Sequence, residues 1–129
     1  MIQNKPINEK NLEEEIFEEL EKCFNCGLCK ARCPVFNVLF EEHNSPRGRI
    51  RLLKRKIFDQ TIFNCTLCKS CEEACPIGIN ITDNFRKART ILSVRNKNTK
   101  ENKEMIKNIR KFKNPFGNKT NDPKKLYCC

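Results

Sequence analysis

Ten of the 129 residues are cysteine, and eight of them fall into two runs of one pattern. Cys23, Cys26, Cys29 and Cys33 form the first run, and Cys65, Cys68, Cys71 and Cys75 the second, 42 residues later. Each run closes on a proline, Pro34 or Pro76, giving C-x2-C-x2-C-x3-C-P twice. Three cysteines spaced by three can wrap a loop around one compact iron–sulfur cube, each thiolate meeting a different iron. The fourth iron then needs a ligand from elsewhere, and in this spacing the last cysteine of each run serves the other cube. The spacing therefore predicts two [4Fe–4S] clusters. Cys23, Cys26, Cys29 and Cys75 would hold the first; Cys65, Cys68, Cys71 and Cys33 would hold the second. Neither set closes unless both halves of the chain are folded.

Other chemistries of thiols remain to be weighed. Two zinc sites could use the C-x2-C pairs, but zinc ribbons separate such pairs widely and leave the x3-C-P extension unexplained. A disulfide framework belongs to an oxidising compartment, and the N-terminal "MIQNKPINEKNLEEE" has no apolar stretch of a secretory signal. A Rieske centre needs two histidines, whereas His43 is alone and reads as a solvated loop residue. No P-loop, G-x-G-x-x-G, Ser–His–Asp or His–Glu metal motif suggests a self-contained catalytic site.

The cysteine loops need elements to carry them. Hydrophobic content is 38%, with no tryptophan, which is thin material for a core and favours a metal staple. "NLEEEIFEELEK" (11–22) places Leu12, Ile16, Phe17 and Leu20 on one helical face, with Asn11 as the expected N-cap and Glu14 completing a capping box. "SPRGRIRLLKRKIFDQTIF" (45–63) reads as a helix capped by Ser45, opened by Pro46 and buried along Ile50, Leu53 and Ile57. "TDNFRKARTILSVR" (82–95) reads as a third, capped by Thr82, with Phe85, Ala88 and Leu92 inward. Residues 96–103 read as a polar hinge, 104–112 as a last helix, and 114–125 as a turn-rich tail. The stretch 35–44 gives no clear pattern. No alternation of period two appears, so the expected fold class is mostly α.

The 42-residue echo extends past the cysteines. Ile16 and Leu20 map onto Phe58 and Ile62, and Pro34 onto Pro76. Two helix-plus-cysteine-loop halves related by a pseudo-twofold are expected, in a domain over residues 1–95. A basic C-terminal helix and tail would follow over 96–129. Gly27 would let backbone approach the inorganic sulfides, while its echo, Lys69, shows that the second loop accepts more bulk.

Charge is uneven: the chain carries +10 formally, with −4 on residues 1–22 and the excess of Lys and Arg after them. Each oxidised cluster with its four thiolates adds about −2, bringing the loaded chain to about +6. The cations then partly offset buried negative charge, which favours the reduced state. Arg47, Arg49, Arg51, Lys54, Arg55 and Lys56 form a basic run. Such a run is a solvated helix face or a docking surface for an acidic partner, though Arg47 and Arg49, flanking Gly48, could instead sit near a cluster.

"CFNCGLCKARCPVF", "SPRGRIRLLK" and "CTLCKSCEEACPIGINI" together resemble the helical dicluster ferredoxin domain found in the C subunit of heterodisulfide reductase and in glycolate oxidase iron–sulfur subunits. The resemblance covers about residues 10–117, including "NPFG". It implies a helical domain, and electron transfer between a flavoprotein or cysteine-rich reductase subunit and another carrier. Longer relatives continue into cysteine-rich modules, whereas this sequence stops at "KKLYCC", so Cys128 and Cys129 are either the stump of such a module or free thiols on a tail. The expectation is an electron-transfer protein, cytoplasmic and without a membrane span, with a redox protein as partner. The alternatives are a cluster-stabilised nucleic-acid-binding protein, for which no aromatic interleaving or recognised module speaks, and a remnant of a longer reductase polypeptide.

Overall fold

The computed structural model describes residues 8–117 and contains helices and turns but no strand among them. In order these are α1 (Glu9–Glu21), α2 (Leu28–Ala31), α3 (Pro34–Leu39), a 3-10 turn (Glu42–Asn44), α4 (Pro46–Lys54), a second 3-10 turn (Gln60–Asn64), α5 (Ser70–Glu73), α6 (Ile81–Val94) and α7 (Lys100–Phe112). None of these helices is long and apolar enough to cross a membrane. Cys128 and Cys129 lie outside the described residues.

The core is a three-helix contact. α1 packs against α6 and α4, bringing Ile16 and Leu20 onto Ile50, Leu53, Phe85, Ala88, Ile91 and Leu92, all buried. Each fully buried Ile, Leu or Phe contributes roughly 1.5–3 kcal/mol. Cys29, Cys65 and Cys71 belong to the same cluster of buried side chains, so the cysteine loops are mounted on the core rather than beside it. Around its rim, α6 offers cations to the glutamates of α1: Lys87 pairs with Glu15 at 2.7 Å, and Arg95 pairs with both Glu9 and Glu13.

The expected elements are present with shifted ends. α1 starts at Glu9, before the expected cap Asn11; its N-cap is Asn8, which makes no side-chain cap bond. Ser45 caps α4 as expected, its Oγ accepting from Gly48 N at 2.9 Å. That helix does not run to residue 63. Lys56 takes a left-handed φ of 58°, Lys56 N and Ile57 N donate back to Leu53 O and Leu52 O, and Ile57 is 46% exposed rather than inward. Asp59 then starts the second 3-10 turn, its Oδ1 accepting from Thr61 N at 2.9 Å. Thr82 is not the cap of α6, which begins one residue earlier behind Asn80. Instead Thr82 N and Oγ1 donate to Glu72 Oε1 at 2.7 and 2.6 Å, so a carboxylate on α5 serves the positive end of α6. The expected hinge is shorter than 96–103, because Thr99 Oγ accepts from Asn102 N and starts α7 at Lys100. No residue of α7 is buried.

The two halves match most closely in their loops. Leu28–Ala31 and Ser70–Glu73 are the same helix 42 residues apart. Left-handed residues precede both: Asn25 (φ 61°) and Gly27 (φ 85°) in the first, Leu67 (φ 56°) and Lys69 (φ 66°) in the second. Lys69 thus adopts the backbone conformation of Gly27 at the cost of a strained non-glycine φ. The elements leading into the loops differ in form. A 13-residue helix precedes the first, whereas α4, a chain reversal and a 3-10 turn precede the second.

Candidate metal centre

Local features place most of the cysteines, and Cys75 N donates to Glu72 O at 3.0 Å just past α5. Cys23 follows the end of α1, its N donating to Leu20 O, and its carbonyl accepts from Lys54 Nζ at 3.1 Å. Cys29 and Cys71 occupy equivalent positions on α2 and α5 and are buried, while Cys26 and Cys68 are exposed in both loops. Cys33 caps α3, its Sγ accepting from Phe36 N at 3.5 Å. Cys65 Sγ accepts from Leu67 N at 3.4 Å, the amide freed by the left-handed turn there. Such N–H···S contacts stabilise negative charge on sulfur and tune the potential of a bound cluster.

Cys23, Cys26, Cys29 and Cys75 line one pocket together with Arg47 and Ile50. Cys75 comes from the opposite cysteine run. Burial, then the charges of Cys23, Cys26 and Cys75, push the Cys29 thiol up to about 11. In the other half, burial pushes the Cys65 thiol up, and Cys33 adds to the effect. Burial and then Cys65 and Glu72 drive Cys71 up to about 12, with a smaller contribution from Cys29, so the two groups adjoin. Cys68 stands apart at the surface, its Sγ 3.4 Å from Ser70 Oγ, and hydrogen bonding from Ser70 lowers its pKa. Among the described residues no three His, Cys, Asp or Glu side chains converge on a single-ion site. The grouping therefore rests on the shared pocket and on sulfur–sulfur electrostatics.

Three cations surround these sulfurs. Arg47 lines the first pocket and is ion-paired: its Nε lies 2.7 Å from Glu42 Oε1, and Lys30 Nζ lies 2.7 Å from Glu42 Oε2. Hydrogen bonding to Arg47, then to Lys30, outweighs partial burial and holds Glu42 down at about 2. Glycine suits position 27, because the backbone φ is +85° and a Cβ there would sit 2.7 Å from Arg47 Nη1, so the guanidinium would have to move aside for any side chain. Arg49 is 1% exposed. Its Nε donates to Thr61 O at 3.3 Å, while Nη1 and Nη2 have no hydrogen-bond partner. Arg89 reaches the chain entering the second loop, its guanidinium donating to the carbonyls of Ile62 (3.2 and 3.1 Å) and Phe63 (3.3 Å), and to that of Cys65.

The sequence raised Arg47 and Arg49 as neighbours of a cluster but offered no sign of Arg89, Glu42 or Lys30. Of the remaining basic run, Arg51, Arg55 and Lys56 are exposed and Lys54 is half-buried. His43 is at the surface, 3.1 Å from Glu41. The donor set suits iron–sulfur chemistry. It is all thiol, it is drawn from both halves, and it stands beside a buried guanidinium with two unsatisfied nitrogens, which an acceptor such as a sulfide or thiolate would satisfy.

Residues 19–79 match the 4Fe-4S dicluster domain family. The chain is 35% identical over 68 residues to the glycolate oxidase iron-sulfur subunit of Escherichia coli (strain K12), a match that takes in 46% of this chain and 17% of that protein. Over 100 residues it is 33% identical to the C subunit of the H2:CoB-CoM heterodisulfide,ferredoxin reductase of Methanothermobacter marburgensis, taking in 64% of this chain and 50% of that protein. With the iron-sulfur C subunit of the CoB–CoM heterodisulfide reductase of Methanopyrus kandleri the identity is 32% over 94 residues, 62% of this chain and 45% of that protein. The match thus spans half, or less than half, of the length of these relatives.

Proposed function

From the premise that residues 19–79 are a 4Fe-4S dicluster domain, we propose that the chain holds two [4Fe–4S] clusters and passes single electrons within a larger oxidoreductase. Cys23, Cys26, Cys29 and Cys75 are the proposed ligands of one cluster, and Cys65, Cys68, Cys71 and Cys33 those of the other. The observation that carries this reading is the pocket in which Cys75 joins three cysteines of the opposite run. Two more support it: the matching left-handed positions of the two loops, and relatives named as iron-sulfur subunits of glycolate oxidase and of a heterodisulfide reductase.

The bound clusters supply reversible one-electron chemistry. The chain's own task is to hold eight thiolates at a pH where burial alone would keep Cys29 and Cys71 protonated, which metal coordination reverses by displacing the protons. The core keeps those sulfurs fixed, so little has to reorganise when charge arrives. Arg47 and Arg49 place positive charge beside them. The proposed partner is a flavoprotein or a cysteine-rich reductase subunit. Phe24, 61% exposed, and Ile77, 45% exposed, flank the first pocket and form an apolar rim where such a partner would dock. The cluster-bearing unit is taken to end near Arg95, with α7 appended. The relatives lend nothing to a nucleic-acid-binding role.

The test is anaerobic reconstitution of the full chain with iron and sulfide, in the presence of equimolar zinc. About eight irons and eight sulfides per chain, and two magnetically interacting signals on dithionite reduction, are expected. Preferential uptake of zinc, or a saturating value near four irons, would refute the two-cluster reading.

A further inference from the structure

Arg47 and Arg49 leave α4 two residues apart and meet opposite cysteine groups in unlike states. Arg47 faces Cys29 and Cys26, but Glu42 pairs with it and water reaches it. Arg49 is wholly buried, and its strongest electrostatic partners are Cys65 and Cys33. The contact with Cys33 is too loose to count as a hydrogen bond, since both terminal nitrogens are unpartnered. No carboxylate of the described residues forms an ion pair with it. Its guanidinium lies 5.9 Å from the Phe85 ring centre, and a further charge that it senses is the cation of Arg89, which bonds main-chain carbonyls and also acts on Cys65. A buried, unpaired cation is costly unless something negative meets it, and a guanidinium stays charged in a protein.

We propose that Arg49 is the internal counter-charge of the site built on Cys65, Cys68, Cys71 and Cys33, and that it makes this site the first of the two to accept an electron. The inference rests on the two-cluster reading above. Adding one electron, from a low-potential donor such as a reduced flavoprotein, makes and breaks no bond and raises the negative charge of the site by one. Away from water, a fixed cation stabilises that added charge more than a solvated, carboxylate-paired one does. Arg49 is therefore a positioning and charge-setting residue, and the two cysteine loops, alike in backbone, differ in electron affinity.

The experiment is a redox titration of the reconstituted full chain with dithionite, followed by EPR, on wild type, Arg49→Gln, Arg49→Lys and Arg47→Gln. In Arg49→Gln the more positive of two midpoints is expected to fall by at least tenfold in its equilibrium constant, about 59 mV for one electron, while the other moves by less than threefold. Arg49→Lys should recover most of the shift, and Arg47→Gln should move only the other midpoint. An unmoved midpoint, an equal shift of both, or a lysine variant no different from glutamine would overturn the proposal. If Arg49→Gln does not load, ligand substitutions decide. Cys68→Ser must alter the signal of the more positive midpoint and Cys26→Ser that of the more negative, and the reverse order would overturn it. Wild type that fails to bind two clusters would bring down the reading of the site, whereas full loading with unmoved potentials would bring down the role of Arg49 alone.

Discussion

Gly48→Ala adds a single carbon where α4 meets the 3-10 turn before it. The new Cβ would lie 1.8 Å from Glu42 O, 2.7 Å from Glu42 C and 3.0 Å from His43 Cα. All three are backbone atoms, so no side chain can swing away. Restoring an ordinary separation of about 3.5 Å requires a retreat of about 1.7 Å. The carbonyl that must retreat accepts from Ser45 N at 3.0 Å and from Ser45 Oγ at 2.7 Å. Overpacking costs about 1–3 kcal/mol, and the two hydrogen bonds about 1 kcal/mol each. Against this, alanine in place of glycine within a helix gains up to about 1 kcal/mol. The net loss of about 2–4 kcal/mol is large beside the roughly 5–15 kcal/mol that hold a domain together. Glu42 also carries Arg47 and Lys30, and Gly48 separates Arg47 from Arg49, so the displacement reaches both cysteine groups. The assay is the apparent Tm of the loaded protein under argon at one scan rate, read by far-ultraviolet circular dichroism, with iron counted per chain. A fall of about 10 °C or more and a loss of bound iron are expected. An alanine variant with equal or higher Tm and full iron content would refute the reasoning.

Cys75→Ser and Cys33→Ser should each strip the cluster proposed for the opposite half, leaving about four irons per chain; loss of the cluster in the variant's own half, judged by which EPR signal disappears, would contradict the crossed assignment. Glu42, held at about 2 against an ordinary 4.5, contributes stability that is complete above pH ~4.5 and lost as the pH falls toward 2. Glu42→Gln should therefore be less stable than wild type at pH 7 in urea unfolding, with the gap closing below pH 4; a gap that widens in acid would be the wrong sign. Arg95→Ala releases Glu9 and Glu13 of α1 and exposes Phe58, whose ring lies 5.0 Å from the guanidinium. It should lower the apparent Tm by roughly 4–6 °C, for a loss of about 1 kcal/mol, and by less in a Glu9→Gln, Glu13→Gln background, where only the Phe58 contact is left to lose; an undiminished fall there would contradict the ion pairs' share.

What was legible in the sequence was whatever repeats or caps locally. The cysteine spacing foretold two matched loops, and they agree down to the depth of Cys29 and Cys71. Ser45 and Pro46 marked the start of α4 because cap and first-turn chemistry are local. The reversal at Lys56 was not legible, since a left-handed residue without glycine carries no compositional signal. Nor was the capping of α6 by Glu72, because its donor and acceptor lie ten residues apart on different elements. The need for glycine at position 48 comes from the Glu42 carbonyl, which no local pattern around Gly48 reveals. Arg47 and Arg49 stood out from the basic run by flanking Gly48, but nothing in that reading separated Arg49 from Arg47. One signal was present: Arg49 stands four residues before Leu53, on the buried stripe of α4, whereas Arg51 and Arg55 do not share that face.

The same break in symmetry that defeated the sequence pattern bears on function. Two loops with equal backbone and equal ligand types would give two clusters of equal electron affinity if their surroundings were also equal. They are not, because different elements lead into them. The first loop hangs from α1, whose buried face is Ile16 and Leu20 and whose glutamates point to solvent or to α6. The second follows α4 and a 3-10 turn, and α4 inserts Arg49 into the interior while the turn is held by Arg89. A straight helix of the length of α1 in the second half would have preserved the repeat, but it would have removed the reversal at Lys56 that lets α4 end early and the turn face Arg89. Divergence of the leading elements, with conformity of the loops, is how a duplicated ligand pattern can acquire a direction for electron flow. The proposed gradient is sharpened because Arg47, the cation at the first cysteine group, is paired with Glu42, whereas Arg89 bonds neutral carbonyls and adds its charge to that of Arg49 at Cys65.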